Sequence, residues 1–219
     1  HFQLDVDEFV QLPEGKSLHD VAKICQSNPN GVVCGAMLDV YPKNFSLVFE
    51  QHKLNEIEWQ FDALKHLKLR SDKRPRTIYG GVRARLFYKL GLLPEPMGLQ
   101  YLKTQFRLRR TPKLHMLFKP VCVRWTKERY FKSSHEIDLN PDPNILLPLL
   151  HYKFAPPIIQ KITYAIDSGS YHNGSVDYQR MAKLLQKLRA NEISIHNKDS
   201  RDVTEPNVLA RSGNLFGVE

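Results

Sequence analysis

Three carboxylates fall together near the start of the chain, in the stretch FQLDVDEFV: Asp5, Asp7 and Glu8. In an extended segment, residues two apart point to the same side, so Asp5 and Asp7 are expected to face one point. Two carboxylates so placed repel unless a cation lies between them. Hard cations such as Mg²⁺ and Mn²⁺ suit oxygen ligands, and Mg²⁺ commonly takes one or two carboxylates together with phosphate oxygens. A D-x-D at a strand end therefore suits a metal–diphosphate clamp. The tripeptide alone fits equally a strand end whose solvated acids cap the following loop.

Other side chains with chemistry to offer are spread along the chain. Arg83 and Arg85 alternate in VRARLF. Read as a strand, this segment turns both guanidinium groups one way, and each can grip a phosphate or carboxylate bidentately. Lys119 and Arg124 add positive charge, as does Lys153, and each also fits an ordinary solvated face or an ion pair. His135 lies in SSHEI and His151 closes the apolar run LLH. Trp59 and Trp125 can stack on the apolar face of a sugar, although core packing explains an indole as well.

These residues must be positioned by regular elements. A first strand is expected to end at the acidic cluster. SLHDVAKICQSN reads as a helix with Ser17 as cap and Asp20 three residues on, its apolar face formed by Leu18, Val21, Ala22 and Cys25. GVVCGAMLDVY is rich in β-branched and small apolar residues and reads as a buried strand. The spacing of Leu54, Ile57, Phe61, Leu64 and Leu67 predicts an amphipathic helix, followed by an exposed basic loop over 65–76. Strands are expected at VRARLFY, KLHMLFKPVCVRW, RYFKSSHEI and ILLPLLHYKF, the last after the turn-prone NPDPN. Pro156 and Pro157 open a helix, VDYQRMAKLLQKLRA forms another, and a polar tail begins at Asn191. The domain reading is thus 1–155, a helical extension over 156–190 and a tail over 191–219.

The 219 residues are 42% hydrophobic, which supports one sizeable core. Cys25, Cys34 and Cys122 are scattered and odd in number, as expected of reduced core cysteines in a cytoplasmic protein. The net charge of +9 suits nucleic acid, anionic lipid or phosphate-bearing small molecules alike. The basic runs KLRSDKRPR and RLRRTPK carry no alternating aromatic platform, so no nucleic-acid partner is expected.

The D-V-D-E-F element resembles the metal-binding segment of bacterial family-two-like glycosyltransferases of the GT-A fold. GGVRARLF, KPVCVRW, SSHEI, LLHYKF and YHNGSVDYQRM resemble further segments of that group, in the same order. The resemblance implies an α/β fold with a GT-A-like mixed sheet flanked by helices, an incomplete Rossmann-like half and a helical C-terminal region. It implies that the nucleotide-binding βαβ half of such an enzyme lies upstream of His1, and hence exposed sheet edges and self-association. The activity it implies is transfer of a sugar from a nucleotide-diphosphate donor to the hydroxyl of a glycan, lipid-linked or other acceptor, with Mn²⁺ or Mg²⁺ as cofactor and inversion at the anomeric centre. Peripheral contact with the inner face of a membrane fits an enzyme that decorates a membrane-linked glycan.

By the same resemblance Asp5 and Asp7 are the metal–diphosphate pair, with Asp7 the direct ligand, while Glu8 orients the site or has a structural role. His135 matches a third metal ligand, and His151 competes for that place. Asp5, Arg83, Arg85 and Lys119 would hold the donor. An inverting transfer needs a carboxylate base near the acceptor oxygen. Glu136 and Asp138 are the candidates beside His135, and Glu95 is another. A non-catalytic module of the same fold that binds a carbohydrate or a partner is the alternative.

Overall fold

The computed structural model describes residues 1–12, 14–50, 52–62, 81–92, 117–133, 136–138, 146–190 and 192–204. His135, Gly80, Glu95, the basic stretch 65–76 and the NPDPN turn lie outside the described residues.

A strand buried along its whole length, β2 (Val32–Pro42), organises the sheet. One edge pairs in parallel with β7 (Leu146–His151), from Cys34 opposite Leu146 to Asp39 opposite His151. The first half also pairs antiparallel with β4 (Phe118–Val123), with a register shift between Val33 and Cys34, and the end pairs antiparallel with β3 (Trp59–Asp62). Beyond β7 lies β1 (Glu8–Val10), and beyond β3 lies β8 (Ser200–Asp202), giving the order β1-β7-β2-β3-β8. A separate hairpin joins β5 (Phe131–Ser133) to β6 (Glu136–Ile137). Gly35 sits where β2 is flanked on both edges, and a Cβ there would lie 2.7 Å from Val121 Cγ2 and 3.2 Å from the Leu149 Cβ. Only glycine fits that crossing without displacing its neighbours.

The helices follow their local chemistry. α1 (Leu18–Ser27) begins in a reciprocal capping box between Ser17 and Asp20, an arrangement worth about 1 kcal/mol, and buries Val21 and Cys25. These side chains join Val33, Val121, Leu147 and Leu149 in one apolar core. A second core lies between α2 (Gly81–Lys89), α3 (Ile158–Ser168) and α4 (Val176–Arg189), around Tyr41 and Phe154. Gly169 ends α3 in the left-handed conformation that favours glycine.

The architecture is α/β, a mixed sheet flanked by helices, as expected. Several elements differ from the reading of the sequence, among them RYFKSSHEI, which holds the hairpin of β5 and β6 rather than one strand. The segment around Ile57 is not a helix: a short 3-10 turn at Leu54–Glu56 leads into β3, where Trp59 and Phe61 are buried and Gln60 between them is half-buried. The VRARLF segment is not a strand but lies within α2, where Val82, Ala84, Leu86 and Phe87 are buried. Within the polar tail, Ser200–Asp202 forms β8 and pairs with β3. No helix among the described residues is long and apolar enough to cross a membrane.

Candidate functional site

The acidic cluster does not close a strand. Asp5, Val6 and Asp7 form a tight turn, closed by the Glu8 N–H donating to the Asp5 carbonyl at 3.0 Å, and β1 starts at Glu8. The period-2 argument therefore fails for Asp5 and Asp7, and the two carboxylates part. Val6 between them is 95% exposed. Asp5 Oδ2 lies 3.0 Å from Lys119 Nζ, whereas Asp7 Oδ2 lies 3.0 Å from Lys161 Nζ on α3 and 3.7 Å from His151 Nε2.

Below the turn, the Lys119 ammonium is wholly buried and donates to Glu8 Oε2 at 2.6 Å. The same Glu8 oxygen accepts the Asp5 backbone N–H at 2.8 Å. Glu8 and Lys119 thus tie β1 to β4 across β7 and β2, and fix the turn that carries Asp5 and Asp7. Glu8 Oε1 is buried without a hydrogen-bond partner.

The centre of the site is His151, the last residue of β7. Its Nδ1 lies 2.7 Å from Asp39 Oδ1, on the neighbouring strand β2 and directly opposite in register. The parallel pairing of β2 and β7 places these two residues side by side. Asp39 is also engaged by Arg83 Nε at 2.5 Å, from α2. Burial pushes the Asp39 carboxyl up, but Arg83 and His151 outweigh it and hold the group below the usual carboxylate range. Burial likewise pulls His151 down, and the bond to Asp39 and the facing Asp7 carboxylate overcome it and raise the imidazole. The facing His151 ring, and after it Lys161, keep Asp7 well below the usual carboxylate range.

Lys153 lies two residues beyond His151. Burial, then the neighbouring charges of Arg83 and Lys161, push it down to about 8. Among the described residues it makes no ion pair, and its Nζ lies 5.4 Å from the ring centroid of Tyr178 on α4.

The two arginines part as well, because two residues on a helix span about 200° rather than the full turn of a strand pair. Arg83 meets Asp39. Arg85 grips Asp62 bidentately, at 2.8 and 3.1 Å, and donates to the Ile195 carbonyl at 2.6 Å. Asp62 also accepts from Tyr41 Oη, whose oxygen in turn accepts from the Ser200 hydroxyl 2.8 Å away. Arg85 thus fastens the later chain to β3, away from the carboxylates of the turn. Arg124 binds the Gln26 and Pro29 carbonyls at the end of α1.

Glu136 lies in β6 and Asp138 just after it; the Asp138 N–H donates to the Tyr130 carbonyl, and its Oδ1 is buried with no hydrogen-bond partner among the described residues. Asp138 forms no hydrogen bond or ion pair with Asp5, Asp7, Asp39 or His151. Trp59 is buried edge-on to Tyr152, while Trp125 is half-exposed and stacked on Phe131.

Sequence reasoning passed over Asp39 and Lys161. Asp39 carried a signal: it is the single acid inside an otherwise apolar buried strand, and a buried charge requires a partner. Lys161 interrupts the isoleucines of IIQKITYAI in the same way.

The donor set can be tested against a divalent cation. When His151 is neutral with its proton on Nδ1, Asp39 accepts from that nitrogen and Nε2 is left as a ligand facing Asp7; this is how histidine ligands are commonly oriented. Asp7 and His151 therefore fit as two ligands of a cation whose remaining positions are filled by phosphate oxygens and water. Among the described residues no group of three or more His, Cys, Asp and Glu side chains is arranged to hold a metal by itself. Comparison with family models, with curated proteins and with solved structures gave no match.

Proposed function

We propose that this chain carries the metal–diphosphate end of a glycosyltransferase, which moves a sugar from a nucleotide-diphosphate donor to an acceptor hydroxyl. The observation that carries the reading is the pairing of Asp7 Oδ2 with His151 Nε2 at 3.7 Å, with the far side of the ring held by Asp39. Two segments named for their resemblance, D-V-D-E-F and LLHYKF, thus supply one cluster from parts of the chain far apart in sequence.

Asp7 and His151 would hold Mn²⁺ or Mg²⁺, which neutralises charge on the leaving diphosphate. Asp39 orients His151. Arg83, Lys153 and Lys161 provide positive charge around the same point, where a diphosphate would otherwise face Asp7 and Asp39 unaided. Glu8 and Lys119 hold the turn.

The test is release of nucleoside diphosphate by the full-length protein from a panel of sugar nucleotides with Mn²⁺, with Mg²⁺ and with chelator. Cation-dependent release that is lost in D7N and H151A supports the reading. Cation-independent release, or none from any donor, contradicts it.

One observation favours a second reading, a non-catalytic module of the same fold: Asp5 and Asp7 are each already paired with a lysine. Binding of a glycan by a protein that neither binds divalent cations nor turns over a donor would select that reading.

A further inference from the structure

A single oxygen, Asp7 Oδ2, is contested. Lys161 Nζ lies 3.0 Å from it and donates a hydrogen bond, while His151 Nε2 faces the same atom at 3.7 Å. A divalent cation ligated by Asp7 and His151 would therefore meet the ammonium of Lys161. Arg83 holds Asp39 on the far side of the His151 ring, and the Lys153 N–H donates to the His151 carbonyl at 2.8 Å. Two cationic side chains, Lys161 and Arg83, already hold the two carboxylates, Asp7 and Asp39, before any cation is added.

The charges are not equally free to respond. Arg83 is committed to Asp39, and its side chain is only 16% exposed. Lys161 projects from the second turn of α3, and its side chain is 37% exposed. The helix itself is pinned by Ile158, Ile162 and Ala165 in the core. The long stem of Lys161 can turn without moving the backbone, and Lys153 has no ion-pair partner among the described residues.

We infer that Lys161 is the internal counter-ion of Asp7, standing where a divalent cation would bind, and that it passes to a phosphate oxygen when cation and diphosphate enter together, with Lys153 as a second phosphate contact. The inference rests on the metal–diphosphate reading above and adds its consequence. Cation alone is repelled by Lys161, and diphosphate alone is repelled by Asp7. Together they exchange both repulsions for attractions, so their binding is cooperative, and by linkage each raises the affinity of the other equally.

The experiment is calorimetric titration of the wild-type protein, Lys161→Met and Lys161→Ala with three titrants: MnCl₂, inorganic pyrophosphate and their preformed complex. Wild type is expected to bind the complex roughly tenfold or more tighter than either component, within the ordinary range of binding coupling. In both variants Mn²⁺ alone should bind roughly tenfold tighter than in wild type, and the complex weaker, so that the cooperativity shrinks. Thermal melts identify any variant that fails to fold, and two substitutions of different size keep the comparison available. If wild type binds the complex but both variants take up Mn²⁺ alone no better than wild type does, the counter-ion role is overturned while the metal–diphosphate reading stands. If wild type binds neither Mn²⁺ nor the complex, both fall.

Discussion

His151 is held between two aspartates: its Nδ1 lies 2.7 Å from Asp39 Oδ1, and its Nε2 faces Asp7 Oδ2 at 3.7 Å. Asp39 is 3% exposed and also serves Arg83. Asp39→Asn removes a buried anion from two cationic or polar partners. We expect a loss of about 3 kcal/mol or more in unfolding free energy, since breaking a buried pair from one side strands the other. Because the ring loses its orienting acceptor, affinity for Mn²⁺ in the presence of pyrophosphate should fall by about 10–100-fold. Denaturant melts and calorimetry check the two effects separately, and unchanged affinity would mean that Asp39 does not position the ring.

Lys119 and Glu8 make the stability case cleanly, because both are buried. Lys119→Met leaves the Glu8 carboxylate buried without its cation and should cost about 3–5 kcal/mol. Glu8→Gln with Lys119→Met should recover part of this, because the stranded charge is gone. A double-mutant cycle measures the coupling, and purely additive effects would deny the pair.

Arg83 and Arg85 looked equivalent in the sequence and are not equivalent in the fold. Arg85→Ala should lower the melting temperature, because Asp62 and the Ile195 carbonyl lose their shared partner. It should leave binding of Mn²⁺–pyrophosphate unchanged in the folded protein. Arg83→Ala should weaken that binding. Equal effects on binding would contradict the division of roles.

The pH dependence of stability, measured in chelator, follows from the shifts at the cluster. His151 is raised above its ordinary 6.5, so its contribution is fully present below that value and is lost as the pH climbs through the folded value. Asp7 and Asp39 are depressed below 3.8, so theirs is present above that value and is lost as the pH falls through the folded values. The cluster is therefore most stabilising between about 4 and about 6.5. Lys153, lowered to about 8, works the other way but only above that pH. The melting temperature should fall as the pH climbs past 6.5, and this decline should vanish in His151→Gln. Divalent-cation binding should instead rise with pH, because a ligating imidazole must be neutral. A wild-type melting temperature that rises as the pH climbs past 6.5 in chelator would contradict the His151 assignment.

Local chemistry made much of this legible in advance. The Ser17–Asp20 capping box and the apolar run of β2 were readable because each element is specified by its own residues. β3 was not, because Leu54, Ile57 and Phe61 fit a helical period while Trp59 and Phe61 fit a strand period of two; pairing with β2 and β8 decides between them. α2 failed in the opposite direction. Its alternating arginines imitate a strand, and the buried Val82 and Leu86, four apart, reveal the helix only once the second core is assembled. The acidic turn was legible in residue type but not in direction, because Asp5 and Asp7 are steered by Lys119 and Lys161, remote in sequence.

The most direct test of the central claim is anomalous diffraction from crystals grown with Mn²⁺ and pyrophosphate. The account predicts a manganese peak within about 2.3 Å of both Asp7 Oδ2 and His151 Nε2, with pyrophosphate beside Lys153 and Lys161. Crystals that hold pyrophosphate but show no manganese between those two side chains would contradict it.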